Sequence, residues 1–274
     1  MRPARWARDG AAVWDIAVPS RRPRLPGMRM AGFAGRTTDV IDLPVVPYPA
    51  VTLFIDLGDA MLIDDARGVR ERGSVVAGLA PRGARGHGKD VECVQIRLSP
   101  EIAHAVFGTA LSGSVFALDD VWSAQMPDRL RALDSWDDRF ALAEAALTER
   151  YEVGRAVDPE VTFVWQRMVA RRGRVRIERL AEETGWSRKR LWARFRRQIG
   201  LSPKHAARLV RFDHAVHRLA AGESPAAVAA ETGYVDQAHL HHEVKAFAGI
   251  TPAAVAGAQW LAVDHVAWAR STGL

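Results

Sequence analysis

The feature that most constrains this chain of 274 residues is a repeat in its last third. Residues 180–187, Leu-Ala-Glu-Glu-Thr-Gly-Trp-Ser, return as residues 228–235, Val-Ala-Ala-Glu-Thr-Gly-Tyr-Val, at an offset of 48. After one inserted residue the offset becomes 49, which aligns Ser202-Pro203 with Thr251-Pro252. The repeat indicates two copies of one supersecondary unit.

Each copy has the pattern of a helix-turn-helix. A short helix ends at Gly185 or Gly233, where glycine permits the positive φ of a helix end, and a second helix begins near Ser187 or Asp236. In such a unit the second helix enters the major groove with its N-terminal half. Residues 203–221 predict a connecting helix roughly 28 Å long, which would hold the two reading helices about one duplex turn apart.

The helical phase of the two second helices selects the side chains that face away from the core. With Leu191 and Phe195 inward, the first of these helices turns outward Lys189, Ala193, Arg196 and Arg197, flanked by Arg190 and Trp192. With Leu240, Val244 and Phe247 inward, the second turns outward Ala238, His242, Lys245 and Ala246, flanked by His239 and His241.

The charge of the chain is concentrated in the same region. Residues 1–158 carry 20 basic and 22 acidic side chains, whereas residues 159–274 carry 18 and 10. Fourteen Lys or Arg lie within residues 171–211 against three acids, a density that predicts a polyanionic partner. A basic protein with a merely solvated face has a similar composition, so charge alone leaves both interpretations open.

Residues 159–260 resemble the DNA-binding domain of the AraC family of transcription regulators. The resemblance rests on the repeat and on the motif of its second copy: Ala230, Gly233-Tyr234, Asp236-Gln237, Gly249 and Thr251-Pro252. It implies double-stranded DNA as a partner and base-reading residues at Lys189, Trp192, Ala193 and Arg196, then Gln237, Ala238, His239, His242 and Lys245. The neighbouring basic residues Arg188, Arg190 and Arg197 complete the predicted DNA-binding set.

Two features of the second copy depart from this family's pattern. Val244 stands where the family usually has phenylalanine, and His242 stands where arginine is common. The helical phase also places Trp192 and Gln237 on the flank or nearer the core. Since the second copy has three acids, Glu231, Asp236 and Glu243, against one lysine, most phosphate attraction is expected from the first copy.

The first half of the chain reads as β-rich. Strands are predicted at 12–18, 51–57, 61–63, 74–79 and 91–98, a mobile loop at 81–88, and helices at about 100–107 and 129–151. The fold class is therefore α+β, with residues 1–155 as a β-rich domain with a helical tail and residues 156–274 as an all-α domain of two helix-turn-helix units. The resemblance implies that the first domain is cupin-like and senses an effector or dimerises.

Several alternatives for site chemistry stay open at this stage. His239, His241 and His242 on one helix suggest either a metal site or polar surface residues, the latter favoured, and no cofactor is predicted. Asp56, Asp59, Asp64 and Asp65 suggest either a cation site or hydrogen-bonded turns. Aromatic residues suggest either a pocket or core packing: Trp14, Phe33, Phe54, Trp122 and Trp136. No effector-binding residue is assigned.

The compartment and the competing functions follow from composition. The chain has no apolar run of about 18 residues, no signal peptide and a single cysteine, Cys93, so we expect a soluble cytoplasmic protein without membrane contact and not an enzyme. Candidate partners besides DNA are a small-molecule effector, RNA polymerase and a second copy of the chain. The alternatives are a DNA-targeted enzyme with chemistry in the first domain and a helix-turn-helix protein used for protein contacts.

Overall fold

A computed structural model describes residues 5–9, 12–37, 40–58, 61–65, 68–81, 83–256, 264, 267 and 268. The strands in this part of the chain are β1 (Arg5–Asp9), β2 (Ala12–Ala17), β3 (Met28–Thr37), β4 (Ile41–Pro44), β5 (Val51–Asp56), β6 (Leu62–Asp64), β7 (Arg70–Arg72), β8 (Val75–Ala77), β9 (Arg85–Gly88), β10 (Glu92–Leu98) and β11 (Val115–Ala117). The helices are α1 (Pro100–Phe107), α2 (Met126–Arg131), α3 (Trp136–Val153), α4 (Pro159–Ala170), α5 (Ile177–Glu183), α6 (Arg188–Ile199), α7 (Pro203–Ala220), α8 (Pro225–Thr232), α9 (Gln237–Ala248) and α10 (Pro252–Ala256).

The strands form two sheets whose neighbouring strands are all antiparallel. The larger has the order β1-β2-β3-β10-β5-β8-β11, and the smaller has the order β4-β9-β6-β7. All strands precede α2, and the remainder of the described chain is helical. The predicted α+β class, a β-rich domain followed by helices, is confirmed. The predicted boundary at residue 155 falls between α3 and α4 and stays a prediction.

Alternation along the central strands gives the larger sheet two different faces. In β10, Val94, Ile96 and Leu98 join the core shared with the helices, whereas the alternate residues Cys93, Gln95 and Arg97 line a cavity. Successive side chains of a strand point to opposite faces, so one face of β10 is apolar and the other carries polar groups. This second face holds the cavity described below.

Two predictions for the first half are wrong. Residues 81–88, predicted as a mobile loop, contain β9, which pairs with both β4 and β6, so its backbone is fixed by two partners that glycine content could not reveal. The single helix predicted over 129–151 is two helices. Ser135 separates α2 from α3, because its hydroxyl accepts the backbone N–H of Asp138 and thereby caps the start of α3.

The helical half follows the predicted order of caps and prolines. Ser202-Pro203 opens α7, Ser224-Pro225 opens α8, and both serine hydroxyls accept a backbone N–H in the first turn. The apolar side of α7 is fully buried along its length, at Leu209, Phe212, Val216 and Leu219. With 18 residues α7 is about 27 Å long, and it joins the two repeated units.

The two halves share one continuous apolar core. Buried residues of β5, β10, α1 and α3 belong to the same cluster as those of α4 to α9. The end of α6 lies against the first half, where the Ser112 hydroxyl donates to the Gly200 carbonyl at 2.9 Å. Gly200 has φ 92°, and a Cβ there would lie 2.8 Å from Ser112 Oγ, so this approach requires glycine.

Candidate nucleic-acid interface and apolar cavity

Helix α6 presents a strongly basic surface. Ser187 caps it by accepting the backbone N–H of Arg190, while Leu191 and Phe195 are fully buried and hold the opposite side against the core. The exposed residues of this helix include all the predicted ones: Arg188, Lys189, Arg190, Trp192, Ala193, Arg196 and Arg197. The helix contains no acidic residue, and of its exposed cations only Arg188 lies near an acid of the described chain, Glu178 at 3.7 Å, so its surface carries a net positive charge.

Arg196 and Arg194, both on α6, differ in the partners that hold them. Arg196 lies over the ring of Trp192, with Cζ 5.1 Å from the ring centroid, and Trp192 is 46% exposed rather than on the flank as its helical phase indicated. The exposed indole therefore supports Arg196 by a cation–π contact. Arg194, in contrast, donates to Asp158 at 2.5 and 2.6 Å, so its charge is already paired within the protein.

Helix α9 presents a nearly neutral surface. Gln237, Ala238, His242 and Lys245 are exposed, so the placement of Gln237 nearer the core was wrong, because it stands at the first helical position where the neighbouring turn leaves it open. His239 is half-buried: its Nδ1 accepts the backbone N–H of Val235 at 3.4 Å and its ring contacts the ring of Tyr234.

The three acids of the second unit all have hydrogen-bond or ion-pair partners within the protein. Asp236 caps α9 by accepting the backbone N–H of His239 at 2.7 Å, and Glu231 pairs with Arg218. Glu243 is only 2% exposed and accepts hydrogen bonds from Arg208 at 2.8 Å, Arg211 at 3.0 Å and the Tyr234 hydroxyl at 3.0 Å. The weak charge of this unit therefore reflects its few cations, since Glu231 and Glu243 are paired with arginines and Asp236 caps the helix.

The buried Glu243 cluster fixes α9 against α7. Arg208 and Arg211 both belong to α7, and Tyr234 lies in the turn of the second unit. Burial and the charge of Glu243 raise the pKa of Tyr234, so its hydroxyl stays protonated and donates to the carboxylate. Sequence reasoning counted Glu243 only as a charge unfavourable to DNA and missed this positioning role.

A cavity of about 170 Å³ lies in the β-rich half. Side chains from both sheets line it, and most are apolar: Trp14, Phe33, Val45, Val46, Phe54, Met61, Ile63, Val91 and Cys93. Of the five aromatic residues considered from sequence, Trp14, Phe33 and Phe54 line this cavity, whereas Trp122 and Trp136 do not. Trp122 belongs to the core, and Trp136 stacks on Phe140.

One end of the cavity is polar and is built from distant parts of the chain. Arg97 of β10 donates to Asp264 at 2.9 Å, the Tyr48 hydroxyl donates to the other oxygen of Asp264 at 2.5 Å, and Nε2 of His217 lies 3.4 Å from that oxygen. The Arg97 guanidinium lies between two rings, 3.5 Å from the centroid of Tyr48 and 4.1 Å from that of Trp268. We call these five residues the Arg97 cluster.

The Arg97 cluster holds its acid and its histidine in charged forms. Burial alone would raise the pKa of Asp264, but the charge of Arg97 and the hydrogen bonds from His217 and Tyr48 lower it to about 2. Burial alone would lower the pKa of His217, but the hydrogen bond to Asp264 and the charge of Asp213 raise it to about 9. His217 is a residue of α7, so the cluster connects the cavity to the helix that joins the two repeated units.

This connection predicts a pH dependence. The folded pKa of His217 lies above its ordinary value of 6.5, so its contribution to stability is complete below pH 6.5 and is lost as the pH rises through 9. We expect the free energy of unfolding to fall by about 2–3 kcal/mol more between pH 6 and pH 9.5 in the wild type than in His217→Gln, measured by urea denaturation. Equal losses in both proteins would contradict the pairing.

The other sites considered from sequence have structural roles. Cys93 is buried, and burial raises the pKa of its thiol to about 12, which leaves no reactive thiolate. Asp56 accepts the backbone N–H groups of Gly58 and Met61, and Asp65 accepts that of Val69, as in hydrogen-bonded turns. Asp59 lies outside the described residues.

Two further observations concern metals and membranes. Over the described residues, no three His, Cys, Asp or Glu side chains come together in a way that could hold a metal ion. None of the helices in the part of the chain that the structure describes combines the length and apolarity needed to cross a bilayer.

One family model and several solved structures are similar to this chain. Residues 180–257, which span both copies of the repeat, match a family model described as a helix-turn-helix domain. No curated protein matches the chain. ToxT from Vibrio cholerae shares the fold over 85% of this chain and 98% of its own, with a TM-score of 0.50 at 9% identity. The C-terminal domain of AraT, a response regulator from Geobacillus stearothermophilus, covers 37% of this chain and 86% of its own, with a TM-score of 0.35 at 20% identity.

Proposed function

We propose that this chain, whose residues 180–257 form a helix-turn-helix domain of the AraC type, is a sequence-specific DNA-binding transcription regulator that responds to a small molecule. The observation that carries the proposal is the exposed face of α6. The N-terminal turn of this helix is capped by Ser187 and exposed to solvent. Five of its arginine or lysine side chains are exposed: Arg188, Lys189, Arg190, Arg196 and Arg197. Such a helix is suited to enter a major groove and to bind phosphates at its edges.

The two units are proposed to bind DNA unequally. Helix α6 supplies most of the phosphate attraction and reads bases through Lys189, Trp192, Ala193 and Arg196. Helix α9 reads bases through Gln237, Ala238, His239, His242 and Lys245, with little charge to add. Because α7 contacts both α6 and α9, one chain is expected to contact two successive major grooves.

The cavity supports a ligand-responsive first half. It is apolar with a small number of polar groups at one end, which is the usual composition of a small-molecule site. One ToxT structure with the same fold, TM-score 0.50 and 9% identity, holds (E)-4-(8-methylnaphthalen-1-yl)but-3-enoic acid. Contacts with RNA polymerase and with a second copy of the chain stay predictions, the second checked by mass measurement in solution.

A pair of substitutions tests the unequal roles of the two helices. Arg196→Ala is expected to weaken binding to the cognate site by about 1–3 kcal/mol, because an arginine held in register can make two hydrogen bonds to one guanine. Lys245→Ala is expected to cost less than about 1 kcal/mol, since it removes one point charge. The measurement is a titration of the site enriched from genomic fragments by the full chain.

The matched control for these titrations is Arg72→Ala, which removes an exposed arginine from β7 in the first half. It is expected to leave the affinity unchanged. Equal losses from Arg196→Ala and Lys245→Ala would contradict the unequal roles. Binding without any enriched sequence would leave a DNA-binding protein but remove the claim of a specific regulator.

A further inference from the structure

We infer that the chain's own C-terminal segment, represented by Asp264, Ala267 and Trp268, occupies one end of the cavity, and that an apolar carboxylate binds there by displacing it. The inference rests on the proposed function and names the ligand class and the regulation of that cavity. It assigns the cluster around Arg97 as the carboxylate-binding end. The C-terminal segment is then an internal competitor of the ligand.

The contacts of the C-terminal segment resemble those of a bound ligand. Asp264 and Trp268 are each 6% exposed, and both line the cavity that β-strand residues otherwise form. Trp268 contacts the ring of Phe33 at a centroid distance of 6.4 Å, and its carbonyl accepts Arg29 at 2.7 Å. An aromatic ring and a carboxylate from one segment therefore meet the apolar wall and the cation of the cavity.

The cavity has hydrogen-bonding capacity that the segment leaves unused. Nε of Arg97 and Nε1 of Trp14 are both buried donors without a partner among the described residues. Arg97 donates to Asp264 through Nη2, so the carboxylate is not held by the full fork of the guanidinium. Arginine binds a carboxylate best through two parallel N–H groups, and an unpartnered buried donor is costly. A free carboxylate, unlike one attached to the chain, can adopt that geometry.

The remaining volume suits an apolar chain. One water needs about 15 Å³ of such a cavity. The cavity of about 170 Å³ therefore has room for roughly a dozen water-sized groups beside the C-terminal segment. Phe33, Phe54 and Ile63 line this space together with the polar residues Thr52, His87 and Gln95, and no lysine or arginine other than Arg97 is among the lining residues. The fitting molecule therefore has one carboxylate and about eight to ten apolar atoms.

Displacement would be transmitted to the DNA-binding half. Asp264 contacts both Arg97 of β10 and His217 of α7, so it joins the cavity to the helix between the two repeated units. A ligand carboxylate bound to Arg97 competes with Asp264 for that guanidinium. Asp264 and Trp268 then lose their contacts with the cavity. The relation of α7 to the β-rich half then changes, and by linkage DNA binding and ligand binding affect each other equally.

The test is calorimetric titration of the full chain at pH 7 with octanoate, decanoate and 1-naphthylacetate, each paired with its neutral amide. Asp264→Asn is expected to raise the affinity for the carboxylates about tenfold or more, because Arg97 loses its internal partner, while the amides gain nothing. Trp268→Ala removes the indole from the cavity without altering Asp264 and is also expected to raise the affinity for the carboxylates. Arg97→Gln is expected to abolish the preference for carboxylates.

The matched control is Asp128→Asn, which neutralises an exposed acid paired with Arg131. It is expected to leave every affinity unchanged. A second readout is fluorine NMR of 5-fluorotryptophan-labelled protein, with the Trp268 signal assigned by Trp268→Phe. Saturating carboxylate is expected to move that signal towards the position of an exposed indole.

The inference is overturned if no carboxylate binds to Asp264→Asn or Trp268→Ala, or if both variants bind the carboxylates with the affinity of the wild type. It is also overturned if the Trp268 signal is unchanged at saturating carboxylate. DNA titration of the same samples separates this result from the proposed function. Intact DNA binding with no carboxylate effect removes only the inference. Carboxylate binding with no DNA binding removes the proposed function and leaves the cavity assignment standing.

Discussion

Replacing Glu243 by alanine is expected to lower the free energy of unfolding by about 3–5 kcal/mol, the loss typical when one partner of a buried ion pair is removed. Its carboxylate, 2% exposed, accepts from Arg208, Arg211 and Tyr234 at 2.8–3.0 Å. Without it, two arginines of α7 repel each other and the Tyr234 hydroxyl is buried without an acceptor. Urea denaturation followed by circular dichroism measures the loss.

Glu231→Ala is the matched control for this substitution. Both glutamates belong to the second unit and pair with an arginine of α7, but Glu231 is largely exposed where it meets Arg218. An exposed pair contributes about 0–1 kcal/mol, so the control is expected to lose no more than that. If Glu243→Ala and Glu231→Ala lose the same amount, Glu243 does not hold α9 in place.

The affinity for DNA is expected to fall about 10³-fold between 50 and 200 mM salt, if about six phosphates are neutralised. The cations for this are the exposed residues of α6 and its surroundings. Arg194, Arg208 and Arg211 are excluded, since each is engaged by an internal carboxylate. Fluorescence anisotropy of labelled duplex DNA at four salt concentrations gives the slope. A helix-turn-helix protein that binds another protein through apolar surface would show little salt dependence.

Two variants make the salt experiment specific to α6. Arg197→Ala removes an exposed cation and is expected to reduce the slope of log affinity against log salt by about 1. Arg218→Gln removes an arginine already paired with Glu223 and Glu231 and is expected to leave the slope unchanged. A wild-type slope near zero would contradict DNA binding, and an equal effect of both variants would contradict the assignment to α6.

The helical half was largely predictable from sequence because its signals are local. The capping residue, the proline at the first helical position and the glycine at the end all belong to the same helix. Apolar residues along it recur with the helical period of 3.6 residues. Ser187, Gly200 and the buried pair Leu191 and Phe195 therefore fixed both the limits and the exposed face of α6. The same reasoning misplaced Gln237, since the phase of a helix is least defined at its first residue.

The β-rich half was predicted less completely for an equally physical reason. The longest strand of the described chain, β3, is rich in glycine and alanine and has one β-branched residue, Thr37 at its end, so little in the local sequence distinguishes it from a loop. It is ordered by pairing with β2 and with β10, the second of which lies about sixty residues later in the chain. Residues 85–88 became a strand for the same reason, between β4 and β6.

The sequence by itself determined the two helix-turn-helix units, the basic face of α6 and the α+β class, because each is written in residues that lie close together. Only the tertiary structure decided what the polar residues inside the molecule do. Arg97 and Asp264 stand 167 positions apart and still share a hydrogen bond, and Glu243 became a buried acceptor although its position suggested a surface charge. A local pattern predicts an element and its exposed face, but a buried polar group is assigned its partner only by the packing that encloses it.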